Sequence, residues 1–307
     1  MIDLQNVSFQ YADSNYGVTN INLAIKAGEC VVLTGKSGCG KTTITRLING
    51  LAPKYYKGTK KGSIRIAGKD IEMMPSYDIS KTVGSIFQDP QRQFFSSELE
   101  GEIAFGCENY GFSKFEIQKR TKDAIHKMRL ENIGKISLDL LSSGEKQRAA
   151  VASVYAMHPE VFVFDEPTAN MDKDGIIQMK NILIQLKKAG YTLLIAEHRL
   201  SWTEELADRY LYMEDGQIQQ EYSSLEFSTM NDLERISKGL RRIKNRPFIK
   251  QIAPPRTDNI AIQGERISLK KNKKQILKNV DIFANEKSVT AITGNNGAGK
   301  TSLALIL

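Results

Sequence analysis

The feature that most constrains this chain is a glycine-rich loop that occurs twice. The pattern Gly-x-x-x-x-Gly-Lys-Thr spans Gly35 to Thr42 and again Gly294 to Thr301. Each copy follows an apolar run, Cys30 to Leu33 and Val289 to Ile292, that predicts a buried strand. The first copy also leads into a predicted helix. A strand, such a loop and a helix in this order form a cradle of backbone N–H groups for phosphates. We therefore expect two phosphate-binding sites.

Within each loop the glycines let the backbone approach the β-phosphate, the lysine reaches the β- and γ-phosphate oxygens, and the threonine hydroxyl binds Mg²⁺. The residues predicted to bind nucleotide in the first copy are Gly35, Lys36, Ser37, Gly38, Cys39, Gly40, Lys41, Thr42 and Thr43. Those of the second copy are Gly294, Asn295, Asn296, Gly297, Ala298, Gly299, Lys300 and Thr301.

The repeat extends beyond the loops, because residues 276–303 follow the register of residues 17–44. Such a repeat indicates duplicated domains. We expect a complete nucleotide-binding domain over residues 1–222, a basic linker over 223–258 and the N-terminal part of a second domain over 259–307. The segments that a nucleotide domain needs after its loop are absent from the second copy, so we expect a truncated sequence.

The composition is that of a chain with a substantial core, since 41% of the residues are hydrophobic. No apolar run approaches the roughly 20 residues that span a bilayer, and the N-terminus lacks the pattern of a signal peptide. Cys30, Cys39 and Cys107 have no spacing typical of a metal site or a disulfide framework. We expect a cytosolic chain whose role at a membrane, if it has one, is peripheral.

The net charge of +8 is concentrated in basic patches over residues 54–61, 235–256 and 270–274. Solvated faces and a linker explain these patches most simply. Attraction to anionic lipid headgroups or to nucleic acid is the alternative reading. Charge alone leaves these readings open.

A second group of polar residues follows the apolar run Val161 to Phe164. This run predicts a parallel strand, and ligands of open α/β sheets bind at the carboxyl ends of such strands. Asp165 is expected to hold Mg²⁺ there, and Glu166 to polarise the attacking water. An apolar run that ends in two acids is often only a strand before a solvated turn, but the preceding phosphate loop favours the catalytic reading.

The segment Leu141 to Arg148 places small hydroxyl residues and a glycine at the start of a predicted helix, where free N–H groups bind anions. The simplest reading is an ordinary helix cap. The segment resembles the signature motif of ATP-binding-cassette (ABC) ATPases, usually Leu-Ser-Gly-Gly-Gln. The resemblance implies that Ser142, Ser143, Gly144 and Glu145 act on ATP bound by another cassette. It also implies an α/β P-loop NTPase fold with a RecA-like core sheet, an antiparallel β subdomain and an α-helical signature subdomain over about residues 90–155.

The other elements of the ABC family occur in order and carry its roles by resemblance. Tyr11 corresponds to the aromatic residue that stacks on adenine, and Gln88 to the Q-loop glutamine that meets Mg²⁺ and the attacking water. Asp172 lies in the D-loop, and His198 is the switch histidine, which follows the predicted strand from Thr192 to Ala196. Taken singly, a lone tyrosine or histidine is more often structural, and Tyr16 competes with Tyr11. This chain departs from the family's usual signature at two positions, where Ser143 replaces a glycine and Glu145 replaces a glutamine.

The resemblance narrows further at Phe87 to Phe95, at Ala104 to Asn109 and at Ala196 to Leu200. These stretches look like energy-coupling-factor (ECF) transporter ATPases that carry two cassettes. This implies an ATP- and Mg²⁺-dependent motor on the cytoplasmic face of the cell membrane. Its implied partners are a second cassette, in cis or in trans, a membrane-embedded coupling protein and a substrate-binding membrane subunit. The implied cargo is a vitamin, a vitamin precursor or a transition-metal ion, and nucleic acid is not favoured as a partner.

Two alternatives remain at the level of sequence. Tandem ABC ATPases that act on ribosomes also have two cassettes and signatures with Gly-Glu-Lys. They usually read Asn-His-Leu-Asp where this chain has Ala169 to Asp172. A nucleotide-binding module without catalysis is disfavoured because Glu166 and His198 are both present.

Overall fold

The computed structural model describes residues 1–133, 136–241, 259–271, 274–294 and 297–307. It divides into two units, Met1–Lys244 and Asn245–Leu307. Among the described residues no helix is both long and apolar enough to cross a bilayer.

The first unit contains ten strands and eight α-helices within its described ranges. Its strands are β1 (Ile2–Tyr11), β2 (Gly17–Ile25), β3 (Cys30–Gly35), β4 (Gly58–Ile66), β5 (Lys69–Asp70), β6 (Val83–Ile86), β7 (Val161–Asp165), β8 (Thr192–Ala196), β9 (Arg209–Glu214) and β10 (Gln217–Ser223). Its helices are α1 (Lys41–Ile48), α2 (Ser76–Thr82), α3 (Leu99–Asn109), α4 (Lys114–Lys127), α5 (Ser143–Tyr155), α6 (Lys173–Lys188), α7 (Ser224–Thr229) and α8 (Asp232–Ser237).

A six-stranded sheet forms the centre of the first unit, in the order β10-β9-β3-β8-β7-β6. Only β10 runs antiparallel to its neighbour, whereas the five other strands are parallel. Strands β3 and β8 are buried along their whole length, as expected for apolar runs covered on both faces. In the register, Leu33 of β3 and Asp165 of β7 both lie beside Ala196 of β8. The residues that follow these three strands therefore meet at one edge of the sheet.

A second sheet, antiparallel, has the order β2-β1-β4-β5. In β2 the buried residues alternate with exposed ones from Ile21 to Ile25, the pattern of a strand with one face on the core. This face packs in a core cluster with Val31 and Leu33 of the central sheet and with Ile44 of α1. The phosphate loop thus lies between two sheets that hold it.

The helical subdomain consists of α3, α4 and α5. Its buried residues, such as Leu99, Ile103, Ala124 and Val151, form one core cluster with Phe162 of the central sheet. The P-loop ABC ATPase architecture expected from the sequence is confirmed, with a core sheet, an antiparallel β subdomain and a helical subdomain.

The first unit continues past residue 223, where the sequence predicts the start of a basic linker. In α7, the ring of Phe227 stacks on Tyr210 of β9 with centroids 3.9 Å apart. In α8, Arg235 is buried, and its Nε donates to the carbonyl oxygen of Met230. Leu240 is buried as well. These few buried residues are surrounded by charged residues in the sequence, and the segment is therefore easily interpreted as a linker.

The second unit contains β11 (Ile260–Lys271), β12 (Lys274–Asn285) and α9 (Lys300–Ile306). The two strands pair as an antiparallel hairpin. The prediction of a buried strand over Val289–Ile292 is wrong, because this segment has no strand structure and Val289 is 99% exposed. In the first unit the equivalent β3 is paired on both sides, by β8 and β9. The described part of the second unit offers the segment no such partners.

Candidate functional site

The first phosphate loop joins β3 to α1 through glycines with positive φ. Gly35 has φ 145° and Gly40, which caps α1, has φ 105°. A Cβ added to Gly35 would lie 2.2 Å from the carbonyl oxygen of Met213, and one added to Gly40 would lie 2.7 Å from a methyl carbon of Val18. Side chains are therefore excluded at both positions on conformational and steric grounds. No side chain caps α1, so its first N–H groups point toward the loop as donors for an anion.

Lys41 is held inside this loop. Its Nζ donates to the carbonyl oxygens of Gly35, at 3.1 Å, and of Lys36, at 3.0 Å. The side chain is buried, with 5% exposure. A cation that is fixed among backbone dipoles at a helix N-terminus is placed to exchange these carbonyls for phosphate oxygens.

The hydroxyl of Thr42 donates to Oδ1 of Asp165 at 3.1 Å and so joins the loop to the end of β7. Burial raises the pKa of the Asp165 carboxyl, the charge of Glu166 adds to the rise, and the hydrogen bond from Thr42 opposes it. A divalent cation between these oxygens would relieve the penalty of the buried charge. The hydroxyl and the carboxylate are hard oxygen donors of the kind that suits Mg²⁺. Among the described residues no three His, Cys, Asp or Glu side chains gather as a metal site.

The three residues expected to be catalytic meet at the edge of the sheet. Gln88 Nε2 donates to Oε2 of Glu166 at 3.1 Å, and His198 Nδ1 lies 3.4 Å from the same oxygen. Glu166 has the left-handed value φ 48°, and its N–H donates to Ala196 at 2.8 Å. A glutamate is seldom held in this conformation, and its carboxylate lies between Gln88 and His198. Within the described ranges, His198 Nδ1 is buried and makes no hydrogen bond.

The space beside the loop consists of two hollows. One, of about 530 Å³, is lined by Thr42, Asp165 and Gln88 on the side of the expected cation. The other, of about 350 Å³, is lined by Lys41, Glu166 and His198. Gly239, Leu240 and Arg241 form a further wall of this second hollow. Residues 239–241 were not expected at the site, because they fall in the predicted linker.

Tyr11 lies at the end of β1, near the loop helix. Its hydroxyl accepts a hydrogen bond from Arg46 Nη1 at 3.0 Å and lies 3.3 Å from Oγ1 of Thr43. Its ring meets that of Phe9 edge to face. The competing Tyr16 is 74% exposed. Stacking of Tyr11 on a base stays a prediction.

The signature residues are on the helical subdomain. Ser142 caps α5 and forms a capping box with Glu145, whose Oε2 accepts from the N–H of Ser142 at 2.8 Å and from its hydroxyl at 2.6 Å. Burial favours a higher pKa for Glu145, but these two hydrogen bonds outweigh it and lower the pKa. The hydroxyl of Ser143 donates to the backbone oxygen of Asn170 at 2.7 Å. Both departures from the usual signature therefore make specific contacts.

Two further signature and D-loop positions complete the predicted set. Gly144 passes close to α6, since a Cβ built on it would lie 3.8 Å from Cα of Gly175. Asp172 caps α6 by accepting from the N–H of Gly175 at 2.9 Å. None of the signature residues 142–145 is among the described residues that line the two hollows.

The second phosphate loop repeats the backbone of the first. Gly294, Gly297 and Gly299 have φ 147°, 80° and 87°, against 145°, 80° and 105° in the first copy. Lys300 Nζ donates to the carbonyl oxygen of Gly294 at 2.8 Å, as Lys41 does to Gly35. Thr301 follows in α9, and Ala298 lies beside Gly294. The predicted residues Asn295 and Asn296 lie outside the described residues.

Sequence reasoning missed one buried acid at this edge. Glu197, between β8 and His198, has 0% exposure. Its Oε1 accepts from the N–H groups of His198 and Arg199, and its Oε2 accepts from the hydroxyl of Thr168. The available signal was an acid placed directly between an apolar strand and the switch histidine.

Comparison with known proteins agrees with this geometry. A family model described as ABC transporter matches residues 18–169. Two ABC transporter ATP-binding proteins of Treponema denticola are 39% and 36% identical to the chain over 316 and 315 residues. Each match spans 100% of this chain and 64% of the relative, so the chain covers less than two thirds of the length of these relatives.

Among solved structures, cbiO1 from Clostridium perfringens resembles the chain with a TM-score of 0.68 and 28% sequence identity. The match covers 76% of this chain and 93% of that protein. That protein is described as part of the ABC transporter complex cbiONQ.

Proposed function

Because the chain carries an ATP-binding domain of the ABC transporter family, we propose that it is the ATP-hydrolysing motor subunit of an energy-coupling-factor importer. The observation that carries the proposal is the cluster at the sheet edge. There the carboxylate of Glu166 meets Gln88 and His198 beside the phosphate loop. A loop that only bound nucleotide would not need a strained acid held between two polar side chains.

The first step assigned to these residues is binding of the triphosphate. Lys41 and the free N–H groups at the start of α1 hold its phosphates. Thr42 and Asp165 would hold Mg²⁺, and Gln88 lines the same hollow. When bound, Mg²⁺ would supply electrostatic stabilisation of the negative charge on the phosphates.

The second step is attack by water on the γ-phosphate. We assign Glu166 to orienting and polarising this water. His198, whose Nδ1 lies 3.4 Å from Oε2 of Glu166, lines the same hollow and is assigned to the γ-phosphate. Phosphoryl transfer requires positioning and charge stabilisation more than covalent chemistry. The arrangement supplies both.

The signature residues complete a site on another cassette. They lie on the helical subdomain and line neither hollow beside the first loop in the described part of the chain. Two cassettes that bind head to tail would bring Ser142 and Gly144 of one to the γ-phosphate of the other. The second phosphate loop, with its matching backbone, supports a partner cassette in cis.

A groove between the central sheet and the helical subdomain supports a membrane partner. It is a cavity of about 330 Å³ whose lining includes Phe87, Phe95, Phe105 and Tyr110. Phe95 is 76% exposed and stacks on Phe105 with centroids 4.8 Å apart. Gln147 of the signature helix donates to the backbone oxygen of Phe87, next to Gln88. A short apolar helix of the coupling protein in this groove would sense the Q-loop and the signature together.

The transporter type rests on two observations. The stretch from Phe87 to Phe95 resembles ECF ATPases, and cbiO1, part of a transporter complex, is among the similar structures. We assign the chain to the cytoplasmic face of the membrane, as a peripheral subunit. The cargo class is a vitamin, a vitamin precursor or a transition-metal ion.

The test is uptake by a reconstituted complex. The full-length protein would be co-expressed with the membrane proteins encoded beside its gene and placed in vesicles that enclose ATP and Mg²⁺. A panel of labelled vitamins, Co²⁺ and Ni²⁺ would then be offered outside. We expect accumulation of one cargo, and none with Glu166→Gln or with ADP inside. Absence of uptake, together with co-fractionation of the native protein with ribosomes, would contradict the proposal.

A further inference from the structure

Glu197 is a fully buried acid that the catalytic scheme does not use. Four hydrogen bonds reach its carboxylate. Oε1 accepts from the N–H of His198 at 2.8 Å and of Arg199 at 2.9 Å. Oε2 accepts from the hydroxyl of Thr168 at 2.7 Å and from the indole N–H of Trp202 at 3.3 Å. Four donors around one side chain suit a carboxylate, which only accepts.

A buried carboxylate is energetically unfavourable compared with an apolar side chain of the same size. Burial of a carboxylate is unfavourable unless its oxygens are fully hydrogen-bonded, and apolar residues of similar volume often serve a core equally well. The neighbours Ile195 and Ala196 show that apolar residues fill this region of the sheet. The presence of Glu197 at this position is therefore better explained by the groups that it hydrogen-bonds than by the volume that it occupies.

The carboxylate joins two loops of the site that are far apart in sequence. The first is the turn after the catalytic acid, where the N–H of Ala169 donates to Glu166 and the N–H of Met171 donates to Thr168. The second is the switch loop that begins at His198. Through Thr168 on one oxygen and His198 on the other, Glu197 fixes the distance between these loops.

The same carboxylate also bears on the histidine ring. His198 Nδ1 lies 3.5 Å from Oε1 of Glu197 and 3.4 Å from Oε2 of Glu166. Within the described residues this nitrogen is buried without a hydrogen bond. The ring is thus held between a structural acid and the catalytic acid, with its orientation set by the backbone bond to Glu197.

We propose that Glu197 is a positioning residue that locks the switch loop to the turn after Glu166 and so aims His198 at the γ-phosphate. This inference rests on the proposed function, because it assigns Glu197 to the same hydrolytic site.

The test uses Glu197→Gln in the full-length protein, with Glu102→Gln as a matched control. Glu102 is also buried, with 3% exposure, and accepts from the N–H groups of Phe95 and Ser96. Both variants lose a buried carboxylate that binds two N–H groups. We expect both to lower Tm, whereas only Glu197→Gln lowers kcat, by about 10- to 100-fold, with the Kd for ATP unchanged.

A double-mutant cycle with His198→Ala separates positioning from general loss of structure. In the His198→Ala background, Glu197→Gln should change kcat by less than about twofold, because its effect passes through the histidine. The same fold loss in both backgrounds would overturn the proposal. So would an equal loss of kcat in Glu102→Gln.

Two further measurements keep the outcome decisive. If Glu197→Gln does not fold, Thr168→Val removes a single donor and should lower kcat several-fold at unchanged ATP affinity. An unchanged kcat would then contradict the proposal. Hydrogen exchange at the amides of His198 and Arg199 should be at least about tenfold faster in Glu197→Gln than in wild type or Glu102→Gln. If wild type does not hydrolyse ATP, the proposed function fails, and unchanged exchange at these amides would separately overturn the positioning role.

Discussion

At the scale of residues, the site contains charged side chains in energetically unfavourable positions. Asp165 is half-buried with a raised pKa, and Glu166 has a left-handed backbone conformation with its side chain between Gln88 and His198. These arrangements are unfavourable for an isolated domain and become favourable when a cation and a triphosphate bind. Residues that serve catalysis should therefore reduce the stability of the nucleotide-free protein.

The substitution Asp165→Asn tests whether a residue of the site reduces the stability of the nucleotide-free protein. The folded-state pKa of Asp165 lies above its ordinary value of 3.8, so ionising the carboxyl costs the folded state free energy. This penalty is present above the folded-state pKa and is absent below the unfolded-state value. We expect Asp165→Asn to raise Tm at pH 7, with the gain disappearing at acid pH, and to weaken Mg²⁺-dependent ATP binding. Calorimetry across pH and ATP titrations would check both, and a lower Tm at pH 7 would contradict the argument.

Glu145→Gln should show the opposite sign of pH dependence. The lowered pKa of Glu145 means that its charged form stabilises the fold. This contribution is present above the ordinary value of 4.5 and is lost as the pH falls through the folded-state pKa. Glutamine can also complete a capping box, so the difference from wild type at pH 7 should be only about 0.3–1 kcal/mol. Urea unfolding of both proteins at several pH values would measure it, and a difference that persists in acid would refute the assignment.

The sequence predicted which residues lie at the site, but not all of the residues that hold them in position. Glu166, Gln88 and His198 lie together because parallel strands end at one edge, which an apolar run followed by polar residues indicates. The position of Glu197 between an apolar strand and His198 marked it in the sequence, but its hydrogen bonds could not be predicted, because Thr168 and Trp202 reach it only through the tertiary fold. The capping of α5 by Glu145 is local, and the order Ser-x-x-Glu signals it.

At the scale of elements, the phosphate loop is fixed by the strand before it and the helix after it. β3 is paired on both sides, and Ile44 and Leu47 of α1 are fully buried. The strand and the helix hold both ends of the loop, and its glycines are favoured where the backbone has positive φ. The segment Val289–Ile292 shows the converse. An apolar run does not form a strand without neighbours to pair with, and sequence periodicity cannot report whether those neighbours exist.

Gly40→Ala tests the rigidity of this element, with Gly111→Ala as its control. Both glycines have positive φ, 105° and 69°. A Cβ at Gly40 would clash with Val18 at 2.7 Å, whereas one at Gly111 meets nothing within 4 Å. Each variant should lose about 1 kcal/mol for the backbone alone, and Gly40→Ala should in addition lose ATP affinity by at least about tenfold. Equal ATP affinity in the two variants would mean that the loop adapts.

At the scale of the whole molecule, two units carry the same loop, and each forms the same backbone cradle around its lysine. The first unit also contains the acids, the glutamine and the histidine to which we assign hydrolysis. The family and the fold follow from motifs that are local in sequence. The extent of the first unit cannot be predicted in this way, because Phe227 and Leu240 pack a segment that the sequence predicts to be a linker.

We infer that the cluster around Glu166 hydrolyses ATP held by the first phosphate loop. Measuring ATP binding and ATP turnover together in the full-length protein and its Glu166→Gln variant would test this inference. We expect the variant to bind ATP as tightly as wild type and to retain it, with kcat lowered by at least about 100-fold, because Glu166 acts on the water and not on the bound phosphates. Turnover near the wild-type rate would contradict the account.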